Sequence, residues 1–211
     1  MSGERLPERL PAGERVLWRG RPRWQVLARR AFHIRGLAAY FGVLLGWYAV
    51  TAFTSGADAA DAALATLRMA ALAVTPLGLI AVYAWLCSRN ASYWITNRRV
   101  VIRAGIAVPV TYNLPFSRLA SAGLRTWADG SGSIALTLLP PDRVAFFALW
   151  PHTKPWRLAR PEPMLRCIDN AERAAQILAR ALAAEAAVPV PPAPETAPAP
   201  DAARPRAPAL A

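Results

Sequence analysis

Hydrophobic and polar positions divide this chain into unlike parts. Two long stretches carry no charged residue, Gly36 to Phe53 and Met69 to Ser88. At 1.5 Å of rise per residue they make helices of ~27 and ~30 Å, close to the ~30 Å hydrocarbon core of a bilayer. Neither shows the polar face that a helix on the surface of a soluble protein keeps. The pattern predicts two transmembrane helices joined by a loop from Thr54 to Arg68. The competing reading is a pair of buried helices in a soluble protein. Tyr40, Trp47, Tyr48, Tyr83 and Trp85 sit where interfacial anchors belong. Pro76 falls inside the second stretch, where a membrane helix tolerates a proline with a kink.

Beyond Ser88 the period changes. Tyr93–Thr96, Val100–Arg103, Val108–Tyr112, a looser Phe116–Trp127, Ile134–Leu139 and Val144–Trp150 are rich in β-branched and aromatic residues. Turn residues part them: Asn97, Gly105, Asp129-Gly130-Ser131-Gly132 and Pro140-Pro141-Asp142. Short strands at this spacing predict an antiparallel sheet or small barrel. Trp150–Pro163 is rich in proline and irregular. A final helix follows, with Asp169 as cap, Glu172 in capping-box position, and Ala174, Ile177, Leu178, Ala181 and Leu182 as its apolar stripe. Ahead of the first apolar stretch, Val16–Trp18 reads as a short strand. Trp24–Arg35 reads as an amphipathic helix lying on the membrane, or as an extension of the first span. The expected organisation is an N-terminal segment 1–35, a hairpin 36–88, a β domain with its C-terminal helix over 89–187, and a disordered Ala/Pro tail 188–211. The fold class is a membrane protein of α+β type.

Charge adds orientation. The net charge is +12, and nine arginines precede the first apolar stretch, whereas the connecting loop has only Arg68 beside Asp58 and Asp61. The positive-inside rule then places both termini in the cytoplasm, with the protein multi-pass in the inner membrane. No zinc-finger spacing or RNA-binding signature accompanies the basic charge, so nucleic acid is not an expected partner. Cys87 and Cys167 lack the spacing of a metal framework, and a reducing compartment argues against a disulfide. No cleavable signal peptide is expected in the arginine-rich first 35 residues.

Candidate chemistry is sparse. Catalysis needs a nucleophile beside a base, paired carboxylates or a metal site. Asp129 and Asp142 read as turn formers, and His152 alone is a weak metal candidate. The expectation is a protein that is not an enzyme and holds no cofactor or metal. Trp150, His152, Lys154, Trp156 and Arg157 form a stiff segment whose residue types suit a partner or membrane contact, joined by Arg160 and Arg166. Its alternative is that both tryptophans pack into the core. Arg29 and Arg30 are candidate contacts for anionic headgroups. Arg98 and Arg99, just past the second stretch, either meet lipid phosphates or only fix topology. Gly42 and Gly46, four apart, suit helix packing.

Leu10–Pro22 (LPAGERVLWRGRP), Tyr93–Gly105 (YWITNRRVVIRAG) and the order of parts resemble the bacterial pleckstrin-homology-like (PH-like) membrane proteins. That resemblance implies a bent antiparallel sheet closed by a C-terminal helix. ARRAFHIR (Ala28–Arg35), NLPFSRLASA (Asn113–Ala122), ALWPHTKPWR (Ala148–Arg157) and PEPMLRCI (Pro161–Ile168) narrow it. They resemble the photosynthetic complex assembly proteins of purple bacteria, the PuhB family, over about residues 5–185. This implies a role in building the reaction centre and its light-harvesting ring. The implied partners are reaction-centre and light-harvesting core subunits and membrane lipid, with self-association as a homo-oligomer also admitted. Members of that family have been described with three spans, against the two counted here.

Overall fold

The computed structural model describes residues 10–56, 58–106, 108–140, 144–155 and 160–187. The expected tail 188–211, residues 1–9, Pro141, Asp142, Trp156 and Arg157 lie outside the described residues. Strand β1 (Val16–Gly20) is followed by helix α1 (Trp24–Arg30), α2 (Ile34–Thr54) and α3 (Ala59–Asn90). Strands β2 (Ser92–Thr96), β3 (Arg99–Ala104), β4 (Val110–Pro115), β5 (Leu119–Thr126) and β6 (Gly132–Leu138) come next. The one-turn helix α4 (Phe146–Leu149), strand β7 (Met164–Ile168) and helix α5 (Ala171–Ala186) complete the order.

The strands build two antiparallel sheets, β1-β2-β3-β4 and β5-β6-β7. Helix α5 packs on strands of both. Tyr93, Ile95, Val100 and Ile102 from the first sheet meet Ile134, Leu136 and Leu165 from the second, with Ala174, Leu178 and Ala181 of α5 closing the core. The stripe expected on the last helix is thus the face it buries. Strand β1 lies before the hairpin yet pairs with β2 after it, Gly20 opposite Tyr93. The sheet domain is therefore assembled from chain on both sides of the hairpin.

Helix α3 explains the largest departure from the sequence expectation. The expected loop Thr54–Arg68 shrinks to a short turn because α3 begins at Ala59, capped by Asp58, whose carboxylate accepts the Ala60 N–H at 3.1 Å. Alanine-rich sequence from Ala59 to Thr66 favours helix strongly. The helix runs 32 residues, ~48 Å, without a break at Pro76. Helices α2 and α3 pack side by side. Counted from the turn, Ile34 is level with Leu79, each twenty residues from its end of the turn. The remaining turns of α3 pass beyond α2, and there Ala84, Cys87 and Ser88 are buried. The uncharged run Met69–Ser88 thus splits into a part beside α2 and a part inside the sheet domain.

Three smaller differences have local causes. Val144–Trp150, expected as a strand, contains the single helical turn α4. Met164–Ile168, unassigned in the sequence pattern, is β7, in which Leu165, Cys167 and Ile168 are buried and Met164 and Arg166 half-buried. Asp169 does not cap α5: the cap position is Asn170, left-handed at φ 47° and without a side-chain cap bond, while Asp169 pairs with Arg23 at 3.1 Å. Gly132 is required where it stands, since a Cβ there would lie 2.5 Å from both the Arg125 carbonyl oxygen and the Ala171 Cβ.

Val26 and Leu27 of α1, Cys87 of α3 and Cys167 of β7 form a second apolar cluster that joins the three elements. Leu27 is fully buried there. Leu27→Ala is expected to cost about 2–5 kcal/mol, read as a lowered melting midpoint of the full chain in detergent. Leu124→Ala, at an exposed position of β5, is expected to change it by less than about 0.5 kcal/mol.

Candidate functional site

The segment after α4 sits at the foot of the helical hairpin. Leu149 is buried and fixes its start, and the bridge Thr153–Pro163 with the Lys154–Glu162 ion pair at 2.9 Å fixes its end. Between them Trp150 projects onto the hairpin. Its ring stacks on Tyr83 of α3, with centroids 5.7 Å apart, and meets Phe32 edge-on at 5.6 Å. Phe32 and Tyr83 touch each other at 5.5 Å. Trp150 remains 44 % exposed, so one part of the ring grips the hairpin and the rest faces outward.

His152 turns the other way, into the core. Its Nδ1 lies 2.6 Å from the Tyr93 hydroxyl, which also accepts the Arg166 backbone N–H at 3.2 Å. The arrangement that uses every group has Tyr93 donating to a neutral imidazole. Burial, then the Arg166 charge, lowers the His152 pKa from its ordinary value to about 3. Burial raises that of Tyr93 far above the usual phenol range. The Arg166 guanidinium donates to the Pro151 carbonyl at 2.6 Å, and burial lowers its pKa. Arg166 thus ties the segment inward through this bond. Cys167 is also inert: burial pushes its thiol up to about 11, and its N–H donates to the Ser133 hydroxyl at 3.0 Å.

The sequence candidates therefore fall into separate places. Trp150, His152 and Lys154 belong to one buried-edge segment, with Trp156 and Arg157 outside the described residues. Arg29 and Arg30 end α1 and are exposed, Arg30 lying over the Trp127 ring at 5.4 Å from its centroid. Arg98 and Arg99 are not at the hairpin foot. Strand β2 carries the chain ~13 Å from the end of α3 before reaching them. There Arg99 is half-buried and pairs with Glu14 at 2.8 Å. Of the two readings open for this pair, contact with lipid phosphates or topology alone, the Glu14 pairing of Arg99 favours neither. Arg89, in the last turn of α3, lies over the Trp85 ring at 4.9 Å, whereas Arg35, near the start of α2, does belong at the foot. The break between α1 and α2 at left-handed His33, φ 52°, brings Arg29 and Arg30 there. Among the described residues no group of three His, Cys, Asp or Glu is placed to hold a metal.

A two-sheet domain closed by a C-terminal helix, carried on an apolar helical pair, defines a class. The chain matches the family described as Bacterial PH domain over residues 32–182, and it belongs to that family. More narrowly, it is similar to the "Uncharacterized 23.7 kDa protein in puhA 5'region" of Rhodobacter capsulatus, 37% identical over 183 residues that cover 85% of each chain. No solved structure matches.

The neutral His152 makes stability depend on pH. Below about pH 6.5 the unfolded chain protonates this residue, while the folded chain does so only near pH 3. Its contribution is therefore present above that window and is lost as pH falls through it, by up to about 1.4 kcal/mol per pH unit. Melting midpoints of the full chain between pH 7 and 4 are expected to fall more steeply for the native protein than for His152→Asn. Parallel slopes would contradict a neutral buried imidazole.

Proposed function

We propose that the chain is a non-enzymatic assembly factor for the photosynthetic reaction centre and light-harvesting core complex. It acts from the inner membrane, with both termini and the PH-like domain in the cytoplasm. The observation that carries this reading is the Rhodobacter capsulatus relative, whose name sets it in the puhA 5' region, a photosynthesis-operon context. The structure supports the anchoring part. Helices α2 and α3 are long and apolar enough to cross a membrane, and they are nearly unburied within the chain. Val43 at 73 %, Trp47 at 72 % and Leu72 at 67 % exposure form an apolar surface larger than water-facing monomers show. Lipid, or a partner's helices, would cover it. Held in the same bilayer, the protein meets newly inserted subunits in two dimensions, and its rigid junction presents the PH-like domain at a fixed height.

A second reading has its own support. Arg29 and Arg35 stand exposed around the foot of the hairpin, suited to anionic lipid headgroups at ~1 kcal/mol each. On that reading the protein is a membrane-anchored lipid-binding or scaffolding module unrelated to photosynthesis.

Deletion of the gene in its host, followed by membrane absorbance spectra, separates the two. The assembly reading expects a drop of several-fold in the reaction-centre and core-antenna bands, restored by the native gene. Unchanged spectra would overturn it and leave the scaffolding reading.

A further inference from the structure

Arg68 has no task in anything described above. It lies nine residues beyond Ala59, level with Leu45, which is nine residues before Thr54. That is the middle of the apolar helix α2, not the loop in which the sequence pattern had put it. It stands on the outward stripe of α3, in line with the exposed Leu64, Leu72 and Leu79. Its side chain makes no hydrogen bond, ion pair or ring contact with the described residues. Asp61, the nearest charge on the same helix, is two turns away, ~10 Å along the axis, too far to pair.

An arginine at that depth on a lipid-facing surface is costly, and such residues mark places where a polar partner is met. We propose that the Arg68 face of α3 docks a transmembrane helix of another protein that carries a carboxylate at mid-membrane depth. This rests on the membrane-spanning reading given above. Charge complementarity selects the occupant. A second copy related by a two-fold axis along the membrane normal would set Arg68 against Arg68, like charge on like charge. Headgroup phosphates lie beyond reach, because Arg68 is ~14 Å below the start of α3, more than its side chain spans. A carboxylate on a neighbouring helix gives a charged, bidentate bond within the bilayer. The flanking leucines supply the apolar rim of the contact.

The test uses the full chain, fluorescently labelled, in phosphatidylcholine vesicles. The probes are polyleucine peptides of about twenty residues with a single central Glu, Gln or Leu. The Glu peptide is expected to associate about tenfold more tightly than the Leu peptide, the Gln peptide falling between. Arg68→Leu removes the preference and Arg68→Lys keeps most of it. Equal association of the three peptides overturns the proposal, as does a preference that survives Arg68→Leu. So does pairing of the chain with itself that Arg68→Leu abolishes, which would make a second copy the occupant. Alkaline carbonate washing of the same vesicles separates the two levels of failure. A chain that is released refutes the membrane reading and this proposal with it. A chain that stays and ignores the peptides refutes the docking surface alone.

Discussion

Helix α3 passes into strand β2 through one residue, Ala91, whose N–H still closes the last helical turn on the Cys87 carbonyl at 3.0 Å. No flexible linker separates the hairpin from the sheet. The joint is then packed from the side: α1 lays Val26 and Leu27 against Cys87 and Cys167, and Trp150 reaches from the sheet domain onto Tyr83 and Phe32. Interiors of this kind are close-packed and transmit strain instead of yielding to it. A rotation of the domain about the helix axis would have to open both contacts. The hairpin and the PH-like domain therefore behave as one lever, and whatever the hairpin meets is felt by the sheet.

The same constraint explains why the domain is discontinuous in sequence. Strand β1 must pair with β2 at the edge where α3 arrives, so the hairpin is an insertion between two strands of one sheet. Arg23 ties the returning chain to β7 by donating its N–H to the Cys167 carbonyl at 2.8 Å and its guanidinium to Asp169. Cys167 adopts a left-handed φ of 54° where the pairing of β6 and β7 shifts register. That irregularity turns the strand so that its carbonyl meets the incoming chain.

Much of this was legible beforehand. Alternation of β-branched and aromatic residues located most of the strands, and the helical stripe on α5 named its buried face. Other features were hidden for physical reasons. Apolarity cannot say whether lipid or protein does the covering, so Met69–Ser88 read as one span although Ala84, Cys87 and Ser88 pack inside the domain. Charge does not distinguish a loop from a helix, and Arg68 and Asp61 lie in a helix that alanine propensity continues to Ala59. Strand β7 is five residues long and follows a run of prolines, which masked it. The segment at Trp150 was visible as a cluster of residue types. Which side chains point outward depends on Tyr93 and Arg166, distant in sequence.

The central claim is that α2 and α3 cross the bilayer as a hairpin welded to a cytoplasmic domain. Labelling with a membrane-impermeant maleimide tests it most directly, because the two native cysteines are buried. Cysteines placed at Ser55, in the hairpin turn, and at Ala128, on the sheet domain, are both at exposed positions. In intact spheroplasts the account predicts that Ser55→Cys labels at once and that Ala128→Cys labels only after the membrane is broken. Labelling of Ala128→Cys from outside, or protection of both until lysis, would contradict it.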